Sequence, residues 1–289
     1  MMRSKAYKFL FALLLFFSVE RFCYWQTDGF RLSKATCAHV YPFSCQTNTL
    51  PKNLPQSFFF LGSGVQFYAF LGEDNQTILK LFKHHHMGPS TDLAKKLLPK
   101  SWASPLIASR EKRMSHLFMS AKIAFEELPH QTGVYFLHIG KTDCGFGNIL
   151  IHDKLGIAHE IDLDQTDFIL QRRAEPASKR LSRLFQENQV EEAILSMKNL
   201  LSMIENRSKL GIKNKDGNVL ENCGFLGDEP IELDIGSFIY RSKSTNPDPH
   251  AKAVLRATLQ LLGWVKKNHP ENLKTCRQEL LFQYGEKTP

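Results

Sequence analysis

Between residues 57 and 171 the sequence runs in short apolar segments divided by turn residues, and beyond Pro176 it runs in long stripes at helical spacing. That change of texture constrains the fold more than any other feature. Strands are expected at 58–61, 65–71, 77–82, 134–139, 149–152, 157–163 and 168–171. Gly62-Ser63-Gly64 and the tetrad from Gly72 to Asn75 supply the first two turns. One helix interrupts this half at 104–127, where Met114, Leu117, Phe118, Ala121 and Phe125 recur on one face and Pro129 stops the run. The second half predicts helices at 177–187, 190–209, 251–267 and 271–284, with short strands at 223–226 and 231–235. In 190–209 the residues Val190, Ile194, Met197, Leu201 and Ile204 form one apolar stripe. Glu191 and Glu192 occupy its first turn, where the helix dipole favours carboxylates. A strand-rich half followed by a mainly helical half predicts an α+β protein of two lobes.

Composition supports a folded chain. With 43% hydrophobic, 23% charged and 11% aromatic residues in 289, it is neither disordered throughout, nor collagen-like, nor a multi-pass membrane protein. The net charge of +8 is unevenly placed. Up to Ser57 there are seven basic residues (Arg3, Lys5, Lys8, Arg21, Arg31, Lys34, Lys52) and two acidic ones (Glu20, Asp28), so this stretch holds +5 and the remaining 232 residues hold +3. The basicity therefore speaks of targeting and membrane orientation, and no nucleic-acid partner is expected.

Arg3, Lys5 and Lys8 precede an uncharged run of 11 residues at 9–19, FLFALLLFFSV. A bilayer span needs about 20 apolar residues. A basic start followed by a shorter apolar stretch is the pattern of a secretory signal, although the ERFCYW that follows offers no small-residue cleavage site. Residues 1–22 are expected to be a signal-like or membrane-anchor segment, which predicts an exported or membrane-anchored protein with membrane association through 9–19. A buried or interfacial helix is the alternative. Residues 23–57 read as a linker and 58–289 as one domain, with lobes at 58–173 and 174–289. The six cysteines (23, 37, 45, 144, 223, 276) lack metal-ligand spacing, which leaves disulfides and inert packing thiols both open. His84, His85 and His86 are adjacent on an extended segment and read as a solvated loop, and the basic residues within 179–183 as a solvated helix face.

Several residues point to phosphate chemistry. Gly62 and Gly64 in LGSGVQF let backbone N–H groups approach a phosphate, or simply make a turn. Lys80 in TILK places an ammonium within an apolar strand, where it wants a phosphate, a helix carboxylate or a route to water. Glu111 either points inward with Met114, Phe118 and Phe125 or belongs to a solvated REKR patch. The densest stretch is 210–238, LGIKNKDGNVLENCGFLGDEPIELDIGSF, with Asp216, Asn222 and Asp234 in a loop–strand–turn–strand layout. Phosphoryl transfer from a nucleotide uses such a set: one carboxylate for the attacking hydroxyl, and an amide and a second carboxylate for Mg²⁺. A rival set lies in TDCGFGNILIHD, using Asp143 and Asn148 with Asp162 or Asp164. Element order favours a β-hairpin over 143–163 instead.

In this order and spacing the motifs resemble those of the protein-kinase-like superfamily, over about residues 58–240. LGSGVQF resembles its Gly-rich loop, TILK its lysine strand, the stretch around Glu111 its αC helix and FILQRRAEP its hinge. GIKNKDGNVLEN is similar to the catalytic loop with one residue inserted, and LDIGSF to the D-F-G segment. The resemblance implies a two-lobed kinase-like fold with a β-rich first lobe and a truncated helical second one. It also implies ATP and Mg²⁺ as ligands. Lys80 and Asp216 would be catalytic, Gly62, Gly64, Lys80 and Glu111 would bind the nucleotide, and Asn222 and Asp234 would hold the metal. Phe67 stands at the third glycine, Asn214-Lys215 replaces His-Arg, no A-P-E segment is visible, and 55 residues follow Asp234. An active phosphotransferase with an unassigned acceptor, an inactive pseudokinase scaffold with a protein partner, and an exported or membrane-tethered structural protein all stay open. More loosely, the sequence also resembles proteins of Chlamydia-like bacteria, a likeness that implies no activity.

Overall fold

The structure is a computed structural model that describes residues 2–35, 49–84, 96–241 and 249–284. Helix α1 (Met2–Thr27) carries the apolar run, and a single turn, α2 (Leu32–Ala35), follows it closely. Among the described residues no helix is long and apolar enough to cross a membrane. Part of the expected linker is ordered: residues 23–27 continue α1, and Phe30 and Ala35 are buried. Cys37 and Cys45 lie outside the described residues. The other four cysteines are free thiols, exposed at 23 and 144 and buried at 223 and 276.

The architecture is mixed α+β. Strands β1 (Ser57–Ser63), β2 (Phe67–Gly72), β3 (Thr77–Phe82), β4 (Val134–His138), β5 (Asn148–His152), β6 (Ala158–Asp162) and β7 (Phe168–Arg172) form a seven-stranded sheet of order β4-β7-β3-β2-β1-β5-β6. β1, β2 and β3 are joined as antiparallel hairpins, while β1 pairs in parallel with β5. The second hairpin turns because Asp74 accepts the N–H groups of Gln76 and Thr77 at 2.9 and 3.0 Å and the Thr77 hydroxyl at 2.6 Å. The first differs from expectation. Gly62 and Ser63 belong to β1 beyond a bulge after Phe60, and the turn is closed at Gly64, whose N–H donates to the Phe67 carbonyl at 3.0 Å. Residues 143–163 supply the expected hairpin, β5 with β6, in register Asn148↔Asp162. Helix α3 (Lys100–Glu126) begins four residues before the expected start and buries Ala103, Met114, Leu117, Phe118, Ala121 and Ala124.

The chain divides into two compact units, residues 1–110 with 138–170, and residues 111–137 with 171–289. The first is cored by Phe58, Tyr68, Phe70, Leu79, Leu81 and Phe82 from its strands. His84, expected in a solvated loop, is buried there: its Nε2 lies 3.2 Å from an oxygen of Asp167, which also accepts the Gly140 N–H at 2.6 Å. The apolar ring of Phe82 beside it favours burial, and the Asp167 carboxylate gives the imidazole a charged neighbour. His85 and His86 lie outside the described residues.

The second unit holds α4 (Pro129–Thr132), α5 (Ala177–Gln186), α6 (Val190–Lys209), α7 (Val219–Asn222), α8 (Pro249–Asn268) and α9 (Leu273–Tyr284). Its core gathers the α6 stripe Ile194, Met197, Leu200, Leu201 and Ile204 with Leu181 and Leu184 of α5, Leu261 and Val265 of α8 and Leu280 of α9. Glu191 and Glu192 start α6 and Arg207 and Lys209 end it, matching the helix dipole at both ends. Short strands β8 (Glu175–Pro176), β10 (Cys223–Leu226) and β11 (Glu229–Glu232) form a sheet of order β11-β10-β8. β9 (Ile212–Asn214) pairs with β12 (Phe238–Tyr240).

Candidate functional site

The second unit gathers Asp216, Asn222 and Asp234. The β9·β12 pairing sets Asn214 opposite Phe238, so the loop after β9 and the turn before β12 run side by side, with the Lys215 N–H donating to the Ser237 carbonyl at 3.0 Å. Asn222 ends the loop. Its carbonyl accepts the N–H groups of Leu233 and Asp234 at 2.7 and 3.3 Å, and its side-chain amide donates to the Asp216 carbonyl at 3.4 Å. One residue thus ties the backbone of the loop aspartate to that of the turn aspartate.

The support beneath is buried. Asn214, which the sequence offered only as a replacement for a family residue, is 8% exposed. Its side-chain carbonyl accepts the Asp216 N–H at 3.0 Å, and its amide donates to Glu232 at 2.8 Å. Glu232 is itself buried and pairs with the guanidinium of Arg207 at the end of α6. Burial pulls Arg207 down to about 10, and the charge of Arg241 acts in the same direction. The Glu232 carbonyl accepts from Gln171 at 3.1 Å, and Gln171 also donates to the Thr132 carbonyl at 2.6 Å. From α3, the buried Ser120 hydroxyl donates to the Ile235 carbonyl at 2.5 Å and accepts the Phe238 N–H at 2.6 Å, clamping the turn at both ends. Gln260 of α8 accepts the Val219 N–H at 3.1 Å and fixes the start of α7.

The site opens to solvent. Asp216 is exposed, and Asn222 and Asp234 are half-buried. Asp234 uses one oxygen to accept the Gly236 N–H at 3.0 Å. Its second oxygen and the side-chain oxygen of Asn222 are not engaged among the described residues. An amide oxygen and a carboxylate oxygen are of the class of donor that a hard divalent cation takes. The described residues contain no cluster of three or more His, Cys, Asp or Glu that could hold a metal.

The remaining expected residues are placed as follows. In the first unit, Lys80 pairs with Ala69 across β3 and β2, is half-buried, and holds its ammonium 5.7 Å from the centre of the Phe67 ring. A Cβ added at Gly62 would meet nothing within 4 Å, and one at Gly64 only the Phe67 carbonyl at 3.9 Å, so open space lies over both glycines. Lys83 was missed as a site-forming residue. It is buried, sits 4.4 Å over the Tyr68 ring, and donates to the Ser63 hydroxyl and the Gly64 carbonyl at 2.5 Å each, fixing the glycine turn. Glu111 is exposed on α3, as are Lys112 and Arg113, while Arg110 is buried. Of the rival residues, Asp143 is exposed, and Asn148 donates to Glu160 at 2.8 Å. Asp164 accepts from the Thr142 hydroxyl and from the Cys144 and Phe146 N–H groups at 2.5, 2.8 and 2.7 Å.

Compared with known proteins, the chain matches no family model and no curated protein.

Proposed function

We propose that this chain is a divergent, two-lobed kinase-like protein that binds ATP with Mg²⁺ and transfers a phosphoryl group to an acceptor hydroxyl. The observation that carries the reading is the hydrogen bonding of Asn222, which joins the backbones of Asp216 and Asp234 and so holds the two loops side by side. Further support comes from element order. A lysine stands on the third strand, a long helix follows, and then come a loop Asp, an Asn at the loop end, a two-stranded turn and a second Asp. Protein kinases distribute their phosphate-binding and metal-binding residues in this sequence.

On this reading Asn222 and Asp234 hold the metal, which would neutralise charge on the nucleotide phosphates. Asp216 orients and deprotonates the acceptor hydroxyl; its exposure lets an acceptor reach it, and Asn214 fixes its backbone. Lys80 neutralises a phosphate oxygen, and the open space over Gly62 and Gly64 lets backbone N–H groups approach the phosphates. Glu111 is the helix carboxylate assigned to support Lys80. Its exposure favours a second reading, nucleotide binding without turnover, because phosphoryl transfer requires a lysine–glutamate pair in place.

Two measurements separate these readings from each other and from a chain that binds no nucleotide. With Mg²⁺, ATP raises the melting temperature of the full chain, and Asp234→Asn removes the shift. Phosphate or ADP release that disappears in Asp216→Ala supports transfer. Release that is absent while the shift persists supports the binding-only scaffold. No shift in the unsubstituted chain rejects both.

A further inference from the structure

Among the described residues, no surface covers the apolar helix α1. Leu13, Leu14, Leu15, Phe16 and Phe17 are consecutive and all exposed, from 40% to 68%, and Phe22 and Trp25 are 59% and 69% exposed. Consecutive helical residues are about 100° apart around the axis, so five in a row cover every direction. A second copy of the helix would cover one stripe and leave the rest in water. Only a medium that surrounds the helix satisfies it. The run at 9–19 rises about 16 Å, too short to cross a hydrocarbon core of about 30 Å, so the helix lies along one leaflet with both ends at its headgroups. It follows Arg3, Lys5 and Lys8 with no acidic residue before Glu20, a charge pattern that complements anionic headgroups. Tyr24 and Trp25, exposed at the other end, are the aromatic types that settle at a lipid–water boundary.

The end of this helix is built into the first unit. After Thr27 the chain turns at Asp28 and Gly29, with φ of 48° and 71°, and a Cβ at Gly29 would lie 2.5 Å from Tyr24. Phe30 is then buried edge-on against Tyr68 and Phe70, with ring centres 5.1 and 5.5 Å away. The Tyr68 hydroxyl donates to the Gly29 carbonyl at 2.8 Å and the Ser63 hydroxyl to the Asp28 carbonyl at 3.2 Å. Lys154 reaches both the Asp28 carboxylate at 3.0 Å and the Trp25 carbonyl at 3.3 Å. The helix runs into this turn without an extended segment, and the sequence there offers no small-residue cleavage site.

We propose that α1 is a retained lipid anchor that embeds its apolar run in one leaflet of an anionic bilayer and holds the first unit at the headgroups. This is independent of the nucleotide reading. The test is flotation of the full chain with phosphatidylcholine vesicles made with and without phosphatidylglycerol, alongside the intact mass of the expressed protein. The full chain floats with the anionic vesicles, several-fold less with neutral ones, and its mass includes α1. The variant Leu14→Glu/Phe17→Glu, altered only at exposed positions, keeps its melting temperature and loses flotation. A mature mass lacking α1 overturns the proposal. So does an unsubstituted chain that stays unbound, whether as a monomer or as a self-associated oligomer.

Discussion

Glu232 is the residue on which the arrangement around Asp216 rests. One oxygen faces Arg207, the other takes the Asn214 amide, and Asn214 in turn takes the Asp216 N–H. Replacing Glu232 by Leu leaves a buried guanidinium unpaired, which costs about 3–5 kcal/mol. Adding Arg207→Met removes the orphaned charge and recovers most of that loss, and denaturant titration of both full-length variants measures the difference. The sequence revealed Asp216, Asn222 and Asp234 because their chemistry and spacing lie within one stretch. It could not reveal Glu232, Ser120 or Gln171, whose partners lie 18 to 118 positions away. A buried serine and an exposed one look the same in a sequence.

At the scale of elements, segments with an apolar run of their own were legible, and the strands β9 and β12 were not. The stripe of α6 carries its own periodicity and β3 is a compact apolar run, so 190–209 and 77–82 were read to the residue. β9 and β12 have three residues each, too few to show any period, and exist because they pair with each other. The Gly62 region was misread because a bulge and a turn use the same residue types. The loop that follows β4 makes a pH prediction. Burial alone would raise the Asp164 carboxyl, but the Thr142 hydroxyl and the N–H groups of Cys144 and Phe146 override it and hold it below the ordinary 3.8. Asp153 is lowered in the same way through His159, Ile157 and Leu155. Carboxylates with depressed folded values stabilise the protein above about pH 4, and that contribution disappears as pH falls through the folded values. The melting temperature should therefore drop steeply on acidification below pH 4, and Asp164→Asn should give a lower plateau and a shallower acid limb.

At the scale of the molecule, the order of elements was legible and the reason for it was not. A strand-rich first half and a helical second half follow from texture alone, and the α+β architecture agrees. The two compact units do not follow that cut, since residues 111–137 group with the later half. Ser120 and Thr132 supply part of the reason, because both bond to residues of the second unit that lie far away in sequence. The central claim is that Asp216, Asn222 and Asp234 form one Mg²⁺–nucleotide site. Calorimetric titration of ATP into the full chain tests it most directly. The account predicts saturable binding of one ATP per chain in the presence of Mg²⁺, abolished by a chelator and weakened at least about tenfold, or about 1.4 kcal/mol, by Asp234→Asn. Binding that is indifferent to both Mg²⁺ and Asp234, or no binding at all, would contradict it.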